Sequence, residues 1–150
     1  MPINVAALPA DQPPRALGID FGERRIGLAI SDDKGRFAVP HGAIERDTDR
    51  RAVYRIADLA RREEAGWLVL GEPLRPDDGE AGEAAERIRR FAAKLERAAR
   101  LPVVLIDEAH TTLEAIDRLG AAGNDTAERR DAVAAQILLQ EALDRRWSDR

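Results

Sequence analysis

The chain predicts an α/β fold: a mixed five-stranded sheet, its first three strands antiparallel, flanked by helices on both faces. Three observations carry this. Residues 16–21 and 25–31 are apolar runs around Gly22, the pattern of a hairpin. Residues 67–70 and 101–106 are short, wholly apolar runs, the pattern of strands buried on both sides. Helical periodicities separate and follow them, so the order is three strands, helix, strand, helix, strand, helix, helix.

Each element has its own signals. The third strand, around residues 36–43, follows the turn Asp33-Lys34-Gly35. Asp47 or Thr48 caps a helix running to about Glu64, with Val53, Ile56, Ala57 and Ala60 on one face. Residues 67–70 follow as a buried strand. Beyond a loop rich in Pro, Asp and Gly, residues 80–100 form an amphipathic helix with Ala84, Ile88, Phe91, Leu95 and Ala98 as its stripe. The strand at 101–106 ends at Asp107-Glu108. Thr111-Thr112-Leu113-Glu114 resembles a capping box opening a short helix. Residues 120–126 form a polar loop, and a last helix runs from Ala127 or Glu128 to Arg146.

At 150 residues the chain has the size of one domain. Residues 1–15, rich in proline and without a basic start leading into an apolar stretch, read as a flexible tail ahead of a domain over 16–150. No apolar run reaches the length of a membrane span. The absence of cysteine excludes disulfides and thiolate metal sites and suits a reducing cytoplasm. Any metal would be held by carboxylates and water, which favours Mg²⁺ or Mn²⁺ over zinc. A net charge of −4 argues against coating nucleic acid through global charge, though not against a local basic track.

Asp20 is the residue that most needs explaining. It lies inside the first apolar strand, where a carboxylate is costly unless an ion pair, a hydrogen-bond network or a metal compensates it. Asp107 and Glu108 sit at the carboxyl end of the last strand, the end at which open α/β sheets bind ligands. Asp131 shares a helical stripe with Ala134, Ala135, Leu138 and Ala142, so it projects from the core-facing side of its helix near the N-terminus. Acids converging from two strands and a helix suit one or two hard cations, and paired metals promote phosphodiester hydrolysis. Scattered acids engaged in caps and ion pairs are the alternative.

Residues 17–32, the run Gly71-Glu72-Pro73-Leu74, the Asp78-Gly79 loop, residues 107–112 and residues 131–135 together resemble the YqgF/RuvX family of pre-16S ribosomal RNA nucleases, also described as Holliday-junction-resolvase-like. The resemblance spans nearly everything after residue 15. It implies a ribonuclease-H-like fold and identifies Asp20, Glu108 and Asp131 as the metal-binding catalytic acids. Two positions depart from the family: Ala109 stands where arginine is usual, and Glu72 where an apolar residue is usual. The missing arginine bears on phosphate contact. Glu72 reads as a surface acid in preference to a replacement ligand.

Arg24 and Arg25, held near Asp20 by the hairpin turn, are the candidate substrate-binding cations; arginines along the two middle helices read as solvated faces. The expected function is thus a cytoplasmic, Mg²⁺- or Mn²⁺-dependent endonuclease acting on RNA at the 5′ end of pre-16S rRNA. Branched DNA is a further candidate substrate, no membrane is involved, and the expected state is a monomer or weak homodimer. The alternatives are a Holliday-junction resolvase, a non-catalytic nucleic-acid-binding factor in ribosome maturation or transcription, and a nucleotide binder of the actin or sugar-kinase kind, which Gly18-Ile19-Asp20-Phe21-Gly22 also resembles.

Overall fold

The expected hairpin is present as β1 (Ala16–Phe21) and β2 (Arg25–Ser31), antiparallel with Asp20 opposite Gly27. The turn closes where the Gly22 N–H donates to the Arg25 carbonyl at 3.0 Å, and a Cβ on Gly22 would lie 2.6 Å from that same oxygen. The structure, a computed structural model, describes residues 2–72, 79–107 and 126–148. The expected capping box at 111–114 and the loop at 120–125 lie outside them.

β3 (Ala38–Glu45) pairs antiparallel with β2 and starts two residues later than the pattern predicts. The reason is local. The Asp32 carboxylate accepts from the N–H groups of Arg36 (2.8 Å) and Phe37 (2.9 Å), which keeps both in the turn, and Gly35 there takes a left-handed φ of 67°. Those bonds, Phe37's first, hold the Asp32 carboxyl below its ordinary range. Its folded-state pKa is depressed, so its stabilisation is complete above the unfolded value and fades as pH falls through the folded one. Asp32→Ala is therefore expected to cost about 1–2 kcal/mol at neutral pH. The Tm gap to wild type should be constant above about pH 5 and narrow below about pH 4. Thermal melts across that range check it, and a gap that widens on acidification contradicts it.

α1 (Asp49–Arg62) begins at Thr48, whose hydroxyl accepts from the Arg51 N–H at 3.2 Å, with Asp49 in its first turn and Arg61 and Arg62 in its last. β4 (Trp67–Glu72) pairs parallel with β1, α2 (Gly79–Ala99) follows, and β5 (Val103–Asp107) pairs parallel with β4. In α2 the large apolar residues Ile88, Phe91 and Leu95 are buried as expected, but the small ones facing inward are Ala85 and Ala92; Ala84 and Ala98 are exposed. α3 (Ala127–Ser148) starts where the Thr126 hydroxyl accepts from the Arg129 N–H.

The sheet order is β3-β2-β1-β4-β5, antiparallel on one side of β1 and parallel on the other. Period-two alternation divides it into two cores. Leu17, Ile19, Leu28, Leu68 and Leu70 face α1 and α2. Ala16, Ala29, Trp67, Val69, Val104 and Ile106 face α3. This is the α/β fold expected, a mixed five-stranded sheet with antiparallel first three strands and helices on both faces.

The expected loose tail is corrected. Ile3 forms a parallel bridge to Val104, donating to Val103 and accepting from Leu105, both at 2.9 Å. Val5 is buried in the α3-side core, Gln12 donates to the Gly66 carbonyl, and the Trp67 indole N–H donates to the Pro14 carbonyl. The physical reason is the edge of β5: Ile3 occupies backbone groups that would otherwise be an open template.

Candidate active site

The site is built on a close approach of helix to sheet. Ala16, Gly18, Gly27 and Ala29 give β1 and β2 a nearly flat surface toward α3. A Cβ on Gly18 would lie 2.7 Å from the Leu139 Cβ and 3.0 Å from the Ala135 carbonyl oxygen. At Gly27 the contact is tighter still: a Cβ there would lie 1.9 Å from the backbone oxygen of Asp131. Only glycine admits the helix at this point. The same contact fixes where the acids stand, because Gly27 is the cross-strand partner of Asp20, and directly paired residues project to the same face. Asp20 and the Asp131 backbone, which belong to two acids the sequence singles out, thus both meet Gly27 on the α3 face near the end of β1. Both acids are half-buried.

Arg25 lies two residues before Gly27 and shares its face. Its Nε donates to Asp131 Oδ2 at 2.8 Å, with both side chains about one-third exposed or less (27% and 32%). That bond is the largest of the influences that raise the Arg25 pKa above its ordinary value. Of the two candidate substrate-binding arginines, Arg24 is on the exposed turn, and Arg25 is engaged with one of the candidate acids.

The opposite side of the same sheet end carries cations that the sequence reading did not single out. Arg46 follows β3 directly; its Nη1 donates to the carbonyls of Gly22 (2.9 Å) and Glu23 (3.4 Å), and its guanidinium lies 4.3 Å from the Phe21 ring centre. Arg87 of α2 lies over the same ring at 5.6 Å, and Phe91 packs against it at 4.7 Å. Arg46 thus fastens the turn that follows Asp20 while placing a positive charge beside it. Nothing in the sequence around Arg46 marks it, because its approach to the Phe21 ring depends on the register of β2 on β3.

Glu72 and Asp107 face away. Along β4, Trp67 and Val69 face α3 whereas Leu68 and Leu70 face α2, so Glu72 belongs with the second set. Its carboxylate accepts from Arg89 of α2 at 2.6 Å. Asp107 is the register partner of Glu72 and projects to the same side. Glu72 is therefore an ion-paired acid of the α2 face, not a replacement ligand beside Asp20. Glu72→Gln is expected to change turnover by less than about twofold, since it leaves the α3 face untouched; a loss as deep as that of a site acid contradicts this placement. Glu108 and Ala109 lie outside the described residues.

Among the described residues no group of three or more His, Cys, Asp or Glu is arranged to hold a metal. Asp20 and Asp131 would supply two carboxylates, an all-oxygen donor set, and each is half-buried. That chemistry fits a hard divalent cation that keeps several waters, as Mg²⁺ and Mn²⁺ do, and does not fit a metal needing thiolate or imidazole.

Residues 14–145 match the family model described as "RuvX: Holliday junction resolvase". A protein of Anaeromyxobacter sp. (strain K) is 42% identical over 135 residues, covering 88% of this chain and 98% of its own length; one of Maridesulfovibrio salexigens is 39% identical over 134 residues, covering 87% and 98%. Both carry the name "Putative pre-16S rRNA nuclease". Among solved structures, Thermus thermophilus RuvC in complex with Holliday junction substrate aligns with a TM-score of 0.58 at 15% identity, over 90% of this chain and 96% of that one. The Fowlpox virus resolvase bound to Holliday junction DNA aligns at 0.55 and 10%, over 87% and 97%. At such low identity these likenesses speak for the fold, which is ribonuclease-H-like. With a family model covering nearly all of the chain and relatives near 40% identity over their full length, the chain belongs to the RuvX family.

Proposed function

We propose that this protein is a metal-dependent endonuclease that hydrolyses phosphodiester bonds in RNA, with the 5′ end of pre-16S rRNA as its substrate. The observation that supports the reading is the Gly27 contact, where the backbone of α3 at Asp131 meets the strand residue paired with Asp20. The names of the full-length relatives supply the substrate class.

In this reading Asp20 and Asp131 hold Mg²⁺ or Mn²⁺ together with Glu108, whose part rests on the family resemblance. The exclusion of its neighbour Asp107 to the α2 face agrees with that choice. Bound metal would lower the pKa of a coordinated water and balance charge on the leaving oxygen. The chain's own groups do the rest. The carboxylates fix position and charge, and Arg24, Arg46 and Arg87 flank the end of β1 as partners for backbone phosphate. No side chain is required as a covalent nucleophile. Few aromatics are available for base stacking, which fits recognition by backbone and shape. In this reading the protein acts in the cytoplasm as a monomer or weak homodimer; no described helix is long and apolar enough to cross a membrane.

The family description favours a second substrate, a four-way DNA junction. Cleavage of a precursor 16S rRNA fragment, single-stranded RNA and a four-way junction, each with Mg²⁺, Mn²⁺ or EDTA, tests both, with ATP binding measured alongside. Metal-dependent cleavage of the precursor in preference to the junction is expected. Preference for the junction supports the second substrate, and binding without cleavage in any metal contradicts the enzyme. Glu108→Gln is expected to abolish cleavage by about a thousandfold or more, as for groups acting as a unit. Asp107→Asn is expected mainly to lower stability.

A further inference from the structure

The carboxylate that should face a metal is already engaged. Arg25 Nε donates to Asp131 Oδ2 at 2.8 Å, and a guanidinium stays protonated at any relevant pH, so it is not removed by losing a proton. A divalent cation ligated by Asp131 would be repelled by that fixed positive charge, and the carboxylate's density would be shared between the two. The pair is only partly buried, with Arg25 27% exposed, so its guanidinium has room to leave. It also has somewhere to go. Glu45 is its cross-strand partner on β3, and Glu128, one helical turn before Asp131, attracts it as well.

We infer that Arg25 is a displaceable counter-ion: it holds Asp131 in the metal-free protein and is released by metal binding to engage a substrate phosphate. This makes it a substrate-binding residue that couples metal binding to nucleic-acid binding. The inference rests on the metal reading above. It also reconciles two roles for Arg25, since an arginine tied to a site acid at rest becomes a phosphate ligand only once metal replaces it.

The test is the affinity of the full chain for Mn²⁺, measured by calorimetry without nucleic acid, for wild type, Arg25→Gln, Arg25→Lys and Asp131→Asn. Removing the competing charge should tighten Mn²⁺ binding by about tenfold in Arg25→Gln. Arg25→Lys, which keeps a cation but loses the planar Nε donor, should fall between Arg25→Gln and wild type. A second readout is binding of an uncleaved RNA in Ca²⁺ against EDTA: wild type should gain affinity with metal, and Arg25→Gln should lose most of that gain. Mn²⁺ affinity equal to or weaker than wild type in Arg25→Gln overturns the inference. If that variant does not fold, the same result in Arg25→Lys does so. Failure of the underlying metal reading looks different: wild type and Asp131→Asn would then bind Mn²⁺ alike.

Discussion

Asp20→Asn is expected to lower metal-dependent cleavage by about a thousandfold or more while leaving the fold intact. The substitution keeps shape but removes the negative charge a divalent cation needs. Asp20 sits near the end of β1, half-buried and on the sheet face that α3 meets at Asp131, so in the metal reading two carboxylates share one site. Removing one relieves repulsion, and apo stability should hold or rise. Steady-state cleavage with thermal melts in EDTA separates the two effects. A variant that cleaves as wild type does, or that loses activity only because it unfolds, contradicts the assignment.

Gly27→Ala is expected to damage both stability and activity, for a reason unconnected with charge. Its Cβ would meet the Asp131 carbonyl oxygen at 1.9 Å and the carbonyl carbon at 2.4 Å, where real contacts stay beyond 3.0 Å. These are backbone atoms of a helix and cannot rotate away, so α3 must retreat from β2 by over an ångström. Overpacking of this kind costs about 1–3 kcal/mol. A displacement of about 1 Å in a reacting group is enough to lose about a hundredfold in rate. Thermal melts and turnover at a temperature where the variant stays folded measure both. Wild-type values for both would mean that the helix contact does not set the site.

How far the sequence discloses this architecture depends on how local the signal is. β1 and β2 are legible to the residue because apolar alternation stops at a glycine turn. β3 is shifted by two because the side chain of Asp32, not the strand pattern, decides where the turn ends. Asp131 is legible as a core-facing acid from its stripe of alanines and leucines. Its partner is not, since Arg25 lies 106 residues away and nothing in either segment marks the other. The docking of residues 2–15 is equally silent: a single bridge at Ile3 and one buried valine have no periodicity to read. Glu72 shows a subtler limit. Its side of the sheet follows from strand parity only once the register of β4 against β1 is known, and register is a tertiary fact.

The central claim is that Asp20 and Asp131 share a divalent cation, and Mn²⁺ located by its anomalous scattering in a crystal of the full chain tests it most directly. The account predicts a Mn²⁺ peak held by the carboxylates of Asp20 and Asp131, with the Arg25 guanidinium moved off Asp131. Mn²⁺ bound elsewhere, or cleavage that proceeds in Mn²⁺ while no ion sits between Asp20 and Asp131, would contradict it.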